Sequence, residues 1–168
     1  EVLLGNEGLY VGLEHLKVNI CSWNLGGIKP LFKSMDLSKW LLPFGTDQLL
    51  PDIIVVGFQE IVTLNVKNIP LEQRAVMQVW SNVIQENLDT ATRGLFDGDK
   101  YIKLREESLV GVYHTIWVKK CHQPHIRDVQ TSRIYLGKAG LGNKGSVAIR
   151  LQYRDSSIAF ACCHLESG

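Results

Sequence analysis

The chain has 168 residues, 45% of them hydrophobic and 21% charged, with a formal net charge of +1. That length and apolar content suit one domain with a packed core and exclude a disordered tail. No apolar run approaches the ~18 residues of a membrane-spanning helix, and residues 1–17 lack the basic-then-apolar pattern of a secretory signal.

The sequence opens at Glu1 without a methionine, which we read as part of a longer polypeptide. "LKVNICSWN" (Leu16 to Asn24) alternates as a strand does and is broken by Gly26-Gly27. "MDLSKWLLP" predicts a short helix with Asp36 as its cap and Pro43 as its stop. "PDIIVVGFQE" (Pro51 to Glu60) is a near-continuous apolar run, the pattern of a strand buried on both faces. Helical spacing then joins Leu71, Ala75, Val76, Val79, Trp80, Val83, Ile84 and Leu88 into one inward face.

After Gly94 the texture changes. "YIKLREESL", "VGVYHTIWVKK", "IRDVQTSRIYL", "KGSVAIRLQYR" and "SSIAFACCHL" all read as strands at short intervals. Strand, helix, strand, helix and a run of strands predict an α/β fold, two mixed sheets face to face with helices outside, a four-layer sandwich. The last strand pattern runs into His164, where a sheet would be left with an unpaired edge, so the domain is expected to be represented by its first half.

Charge is unevenly spread. From Lys100 to Arg154 there are eleven Lys or Arg against three acids, a net of +8, and the rest of the chain carries −7. Two readings stand: lysines on solvated strand faces, or a basic surface that attracts an anionic substrate or membrane. The cysteines, Cys21, Cys121, Cys162 and Cys163, have no CxxC spacing, which fits a reduced, cytosolic chain without a structural zinc.

Asn24, Gln59-Glu60, Asn143-Lys144 and His164 each fall at a strand end or at the mouth of a loop entering a strand. Ligands of open α/β sheets gather in the crevice outside the strand ends. Glu60 either leaves the sheet for solvent or holds a hard cation such as Mg2+, which needs only one or two protein oxygens beside water and substrate phosphate. Asn24 suits an Asx turn or a hydrogen bond near such a metal. His164 suits a structural hydrogen bond or proton and charge handling at a leaving oxygen. Lys144, between Gly142-Asn143 and Gly145, marks a plain turn or a phosphate cradle. It is not a P-loop, because Ser146 is two residues on and a strand follows instead of a helix.

"CSWNLGG", "PDIIVVGFQEIV", "GLGNKGSVAIRL" and "ACCHLESG" resemble the successive N-terminal motifs of the inositol polyphosphate 5-phosphatases. That family belongs to the superfamily that also holds pancreatic deoxyribonuclease and the abasic-site endonucleases. The resemblance runs from Lys17 to Gly168 and implies that residues 1–168 are the N-terminal portion of a single catalytic domain with the deoxyribonuclease-like sandwich fold. It implies a Mg2+-dependent hydrolase that removes the 5-phosphate of phosphoinositides or soluble inositol polyphosphates by in-line attack of water.

Under the resemblance Glu60 is the metal ligand, and Asn24 is its neighbour at the metal and the scissile phosphate. Asn143 and Lys144 bind a phosphate of the head group. Gln59 is a substrate-site residue that orients the site, and His164 stabilises charge as the P–O bond breaks. The family's later motifs, which supply the general base, further cations and a second histidine, do not occur here, so the resemblance implies that these 168 residues need the C-terminal half for turnover. It also implies a cytoplasmic protein peripheral at anionic membranes and no nucleic-acid partner. The segment before Asn143, "GKAGLG", has Leu141 as its one large apolar residue, where members of the family it resembles often carry a longer apolar stretch. The alternatives are a nuclease of the same superfamily and a non-catalytic module that binds acidic lipid or protein.

Overall fold

Every residue of Ile53–Gln59 is buried, and the rest of the fold is arranged around that strand. The computed structural model describes residues 12–28, 35–43, 50–63, 69–94, 100–136 and 144–165. In chain order these form β1 (Val18–Asn24), α1 (Ser38–Leu41), β2 (Ile53–Gln59), α2 (Ile69–Ala91), β3 (Tyr101–Leu109), β4 (Val112–Lys119), a 3-10 turn (Lys120–His125), β5 (Ile126–Leu136), β6 (Lys144–Tyr153) and β7 (Ser156–His164). Sheet A has the order β1-β2-β4-β3 and sheet B the order β5-β6-β7. Among the described strand pairs, only β1–β2 is parallel.

Strand periodicity divides β2 between two cores. Ile54, Val56 and Phe58 pack with Trp80, Val83, Ile84 and Leu88 of α2, so the helices cover one face of sheet A. Ile53 and Val55 pack with Ile149 and Leu151 of β6, so sheet B covers the other. At β2 Gly57 the sheets come closest: a Cβ there would lie 2.8 Å from Cys162 Sγ of β7. His114 of β4, 1% exposed, spans the same gap, with Nδ1 3.2 Å from the Val56 carbonyl and Nε2 3.2 Å from the Phe160 carbonyl. The described residues thus make three layers, helix, sheet and sheet. Helices over the outer face of sheet B, the expected fourth layer, are not among them.

The expected elements are present, with two local differences. Asp36 takes the Ser38 amide (2.9 Å), but it stands one residue before the cap position, Leu37. Leu71 is 71% exposed and Gln73 is 8% exposed. Residues advance 100° along a helix, so position 71 lies almost opposite position 73. The buried stripe is therefore Gln73, Val76, Trp80, Val83, Ile84 and Leu88, and it begins with an amide.

At the start of β2 a polar clasp closes the far end of the sandwich. Asp52 Oδ1 meets Lys119 Nζ at 2.8 Å and His122 Nε2 at 3.2 Å, while Oδ2 accepts from the Lys17 amide at 2.9 Å. The other nitrogen of His122 is 2.7 Å from the Tyr153 hydroxyl, at the end of β6.

Candidate active site

The register places the site residues. In the parallel pair β1–β2 the last partners are Asn24 and Gln59, so both strands end at one level and Glu60 emerges beside Asn24. In the antiparallel pair β6–β7 the start of one strand meets the end of the other, with Gly145 opposite His164. Four strand ends on two sheets therefore share one mouth.

Glu60 has φ 53°, a left-handed conformation that costs a non-glycine residue about 1–3 kcal/mol. Its backbone is fixed from both sides: its carbonyl accepts from the Gly27 amide (2.7 Å), and the following amide, Ile61, donates to the Gly111 carbonyl (3.1 Å). The bend turns the carboxylate out of the buried strand, with its side chain 44% exposed. Asn24 Nδ2 donates to Glu60 Oε1 at 3.0 Å, and Asn24 Oδ1 accepts from the Gly26 amide at 3.0 Å. Asn24 is thus both an Asx turn and the group that holds the acid.

His164 arrives from sheet B with its side chain 14% exposed and its Nε2 3.4 Å from Glu60 Oε1. Lys144 Nζ lies 2.8 Å from the same nitrogen. One ring nitrogen cannot accept from an ammonium and donate to a carboxylate at once. The shorter contact is the hydrogen bond, Lys144 donating, and the longer one is proximity. The glycine after Lys144 is sterically required, because a Cβ on Gly145, at φ +149°, would come 2.0 Å from the Ile134 carbonyl and 2.9 Å from Leu109. Gly145 lets β5 run alongside, and that pairing presents Lys144 to His164. Asn143 lies outside the described residues.

Gln59 does not join this mouth. It is 8% exposed and points between the sheets, its Nε2 donating to Ser22 Oγ (3.3 Å) and Cys162 Sγ (3.1 Å). Burial pushes the Cys162 thiol up to about 11, the Gln59 hydrogen bond notwithstanding, so it stays a protonated packing group. The structure gathers Asn24, Glu60, Lys144 and His164 and sets Gln59 beneath them as a link between the sheets.

These residues fit a hard cation held sparingly. The described contacts of the Glu60 carboxylate both fall on Oε1, which leaves Oε2 for an ion. Asn24 offers the acid its N–H, and its oxygen is engaged by Gly26. No group of three or more His, Cys, Asp or Glu suited to a metal occurs among the described residues. A hard divalent cation that keeps several waters and takes one or two carboxylates tolerates such a site.

Residues 21–168 match the family model described as Endonuclease/Exonuclease/phosphatase family 2. The chain belongs to this family, in its inositol polyphosphate 5-phosphatase branch. Human synaptojanin-1 is 32% identical to this family member over 96% of its chain, and Schizosaccharomyces pombe inositol-1,4,5-trisphosphate 5-phosphatase 1 is 35% identical over 92%. The aligned region is 11% of the first relative and 14% of the second. Among solved structures, the inositol polyphosphate 5-phosphatase domain of SPsynaptojanin, in complex with inositol (1,4)-bisphosphate and calcium ion, is 36% identical with a TM-score of 0.73. That match covers 91% of this 5-phosphatase-family chain and 41% of the solved one. Cimex nitrophorin in its ferrous NO complex also matches, with a TM-score of 0.59 over 90% of this chain and 47% of its own, at 16% identity. That likeness concerns the fold alone, so function has to be argued from the site.

Proposed function

We propose that this chain supplies the cation- and phosphate-binding residues of a Mg2+-dependent 5-phosphatase acting on phosphoinositides or soluble inositol polyphosphates. The observation that carries the reading is the meeting of Asn24, Glu60, Lys144 and His164 at one mouth, from four strand ends on two sheets. A half-exposed acid beside an ammonium and an imidazole is a pairing for a metal-neutralised phosphate and a second anionic group. The names of the relatives support the substrate class.

Phosphoryl transfer is mostly positioning and charge neutralisation. Glu60 would hold Mg2+ through a carboxylate oxygen, and Asn24 keeps that carboxylate aimed. The bound ion supplies neutralisation and polarisation of the scissile phosphate. Lys144, with Asn143, grips a neighbouring ring phosphate, and His164 holds charge on the leaving oxygen. Glu60 is the only acid described at the mouth and is committed to the metal, so activating the attacking water falls to a group outside these residues. A polypeptide limited to residues 1–168 is accordingly proposed not to turn over.

Two further features fit a cytoplasmic, membrane-peripheral setting. All four cysteines are free. Ile134, Tyr135 and Leu136, at the end of β5 near Lys144, are 59%, 60% and 43% exposed, an apolar rim suited to lipid contact.

The test uses the full-length parent protein and phosphate release from 4,5-bisphosphorylated inositides with Mg2+. Glu60→Gln should lose about three powers of ten or more in rate, the scale of losing the metal's contribution. A rate near wild type would refute the metal assignment, and cleavage of an abasic DNA duplex in preference to inositide would favour the nuclease reading.

A further inference from the structure

The buried stripe of α2 begins with a polar residue, and an amide nine-tenths buried needs partners. Gln73 finds two, on either side of the tight turn between β3 and β4. Its Nε2 donates to the Leu109 carbonyl at 2.6 Å, and its Oε1 accepts from the Gly111 amide at 2.9 Å. One side chain thus fixes both ends of that turn.

The turn in its turn supports the candidate active site from below. The Gly111 carbonyl accepts the Ile61 amide, the bond that pins the chain just past left-handed Glu60. Gly111 itself sits so close that a Cβ on it would lie 3.9 Å from Glu60 Cα. On the other side of the turn, Leu109 reaches over Gly145, the neighbour of Lys144. The acid therefore leans on the backbone of that turn, and the residue beside the lysine leans on the Leu109 side chain that the turn carries.

We infer that Gln73 is a positioning residue for both, holding Glu60 in its strained bend and Lys144 at its side without touching any ligand. The inference rests on Glu60 being the metal-binding acid. Replacing the amide by an apolar group leaves a buried carbonyl and a buried amide unpaired, and the turn would shift to satisfy them.

The experiment measures Mn2+ binding to the full-length protein by electron paramagnetic resonance, together with amide hydrogen exchange at Ile61. Gln73→Leu should weaken Mn2+ binding about tenfold, the low end for groups that act by orienting a metal ligand, and should speed exchange at Ile61. Gln73→Glu keeps the acceptor for Gly111 and should fall between Gln73→Leu and wild type, so it carries the test where Gln73→Leu folds poorly. Val83→Ala, farther along the same helix, serves as a control that loses core packing alone and should change neither readout. Wild-type Mn2+ affinity in both Gln73 variants, or an equal loss in Val83→Ala, would overturn the role. Glu60→Gln run alongside separates the two readings. Mn2+ binding that survives Glu60→Gln sinks the metal assignment, whereas binding lost there and intact in Gln73→Leu sinks only the role of Gln73.

Discussion

Glu60 carries a conformation that its side chain makes costly. Left-handed backbone suits Gly, and Asn tolerates it better than most residues. Glu60→Asn should therefore match or exceed the wild type in urea stability, by up to about 1 kcal/mol, while losing most of its Mn2+ affinity. A variant that loses stability as well would mean that the carboxylate itself secures the bend. At this scale the sequence exposed the residues that stand at strand ends, because Asn24, Glu60, Lys144 and His164 each follow or precede an unmistakable apolar pattern. It did not expose direction. Gln59 and Glu60 are adjacent, and only the turn at Glu60 decides that one enters the gap between the sheets and the other faces solvent. Gln73 escapes a stripe that starts at Leu71. Its signal is an amide in phase with Val76, Trp80, Ile84 and Leu88, a phase that half-buried Asn87 shares.

Between elements, His114 is a buried polar tie from sheet A to sheet B. Burial pushes its pKa below the usual 6.5, although both carbonyl contacts work the other way. The neutral ring has one N–H, so it donates to either Val56 or Phe160 and not to both. As pH falls through the ordinary histidine range, the unfolded chain takes up a proton that the folded chain refuses. Stability from this group is thus intact above about pH 6.5 and declines below it. Urea unfolding between pH 7.5 and 5.5 should show that decline, and His114→Gln should lessen it; an unchanged slope would assign the effect to another histidine. The strands that His114 joins were readable from alternation and β-branched content. Their assembly into two separate sheets was not, because pairing partners are set by register and packing across distances that a local pattern does not encode.

Across the whole molecule, the candidate site and the Asp52 clasp lie beyond opposite ends of β2, roughly 25 Å apart at the rise of an extended strand. Burial tends to raise the Asp52 pKa. The Lys119 hydrogen bond, the Lys17 amide, and the charges of Lys119 and His122 outweigh that and hold it below its usual range. This clasp therefore stabilises the fold above the ordinary carboxylate pKa near 3.8 and is lost in more acidic solution. Lys119→Met leaves the mostly buried Asp52 with its main partner gone and should cost about 3 kcal/mol. Mn2+ affinity should be unchanged, since the two ends lie far apart along β2. Denaturant unfolding and metal titration on the same samples check both halves of that expectation. The clasp was unreadable in the sequence, since it joins residues from positions 17, 52, 119, 122 and 153 that only the closed sandwich brings together.

The contact between Gly57 and Cys162 has a meaning beyond core density. Asn24 and Glu60 ride on one slab of the sandwich, Lys144 and His164 on the other, and no single loop carries all four. The separation of acid from cations is consequently a thickness, set where two slabs touch at a residue with no side chain. Fine adjustment of such a mouth belongs to the interior, and a methyl group added far beneath the ligand would be felt at the ligand.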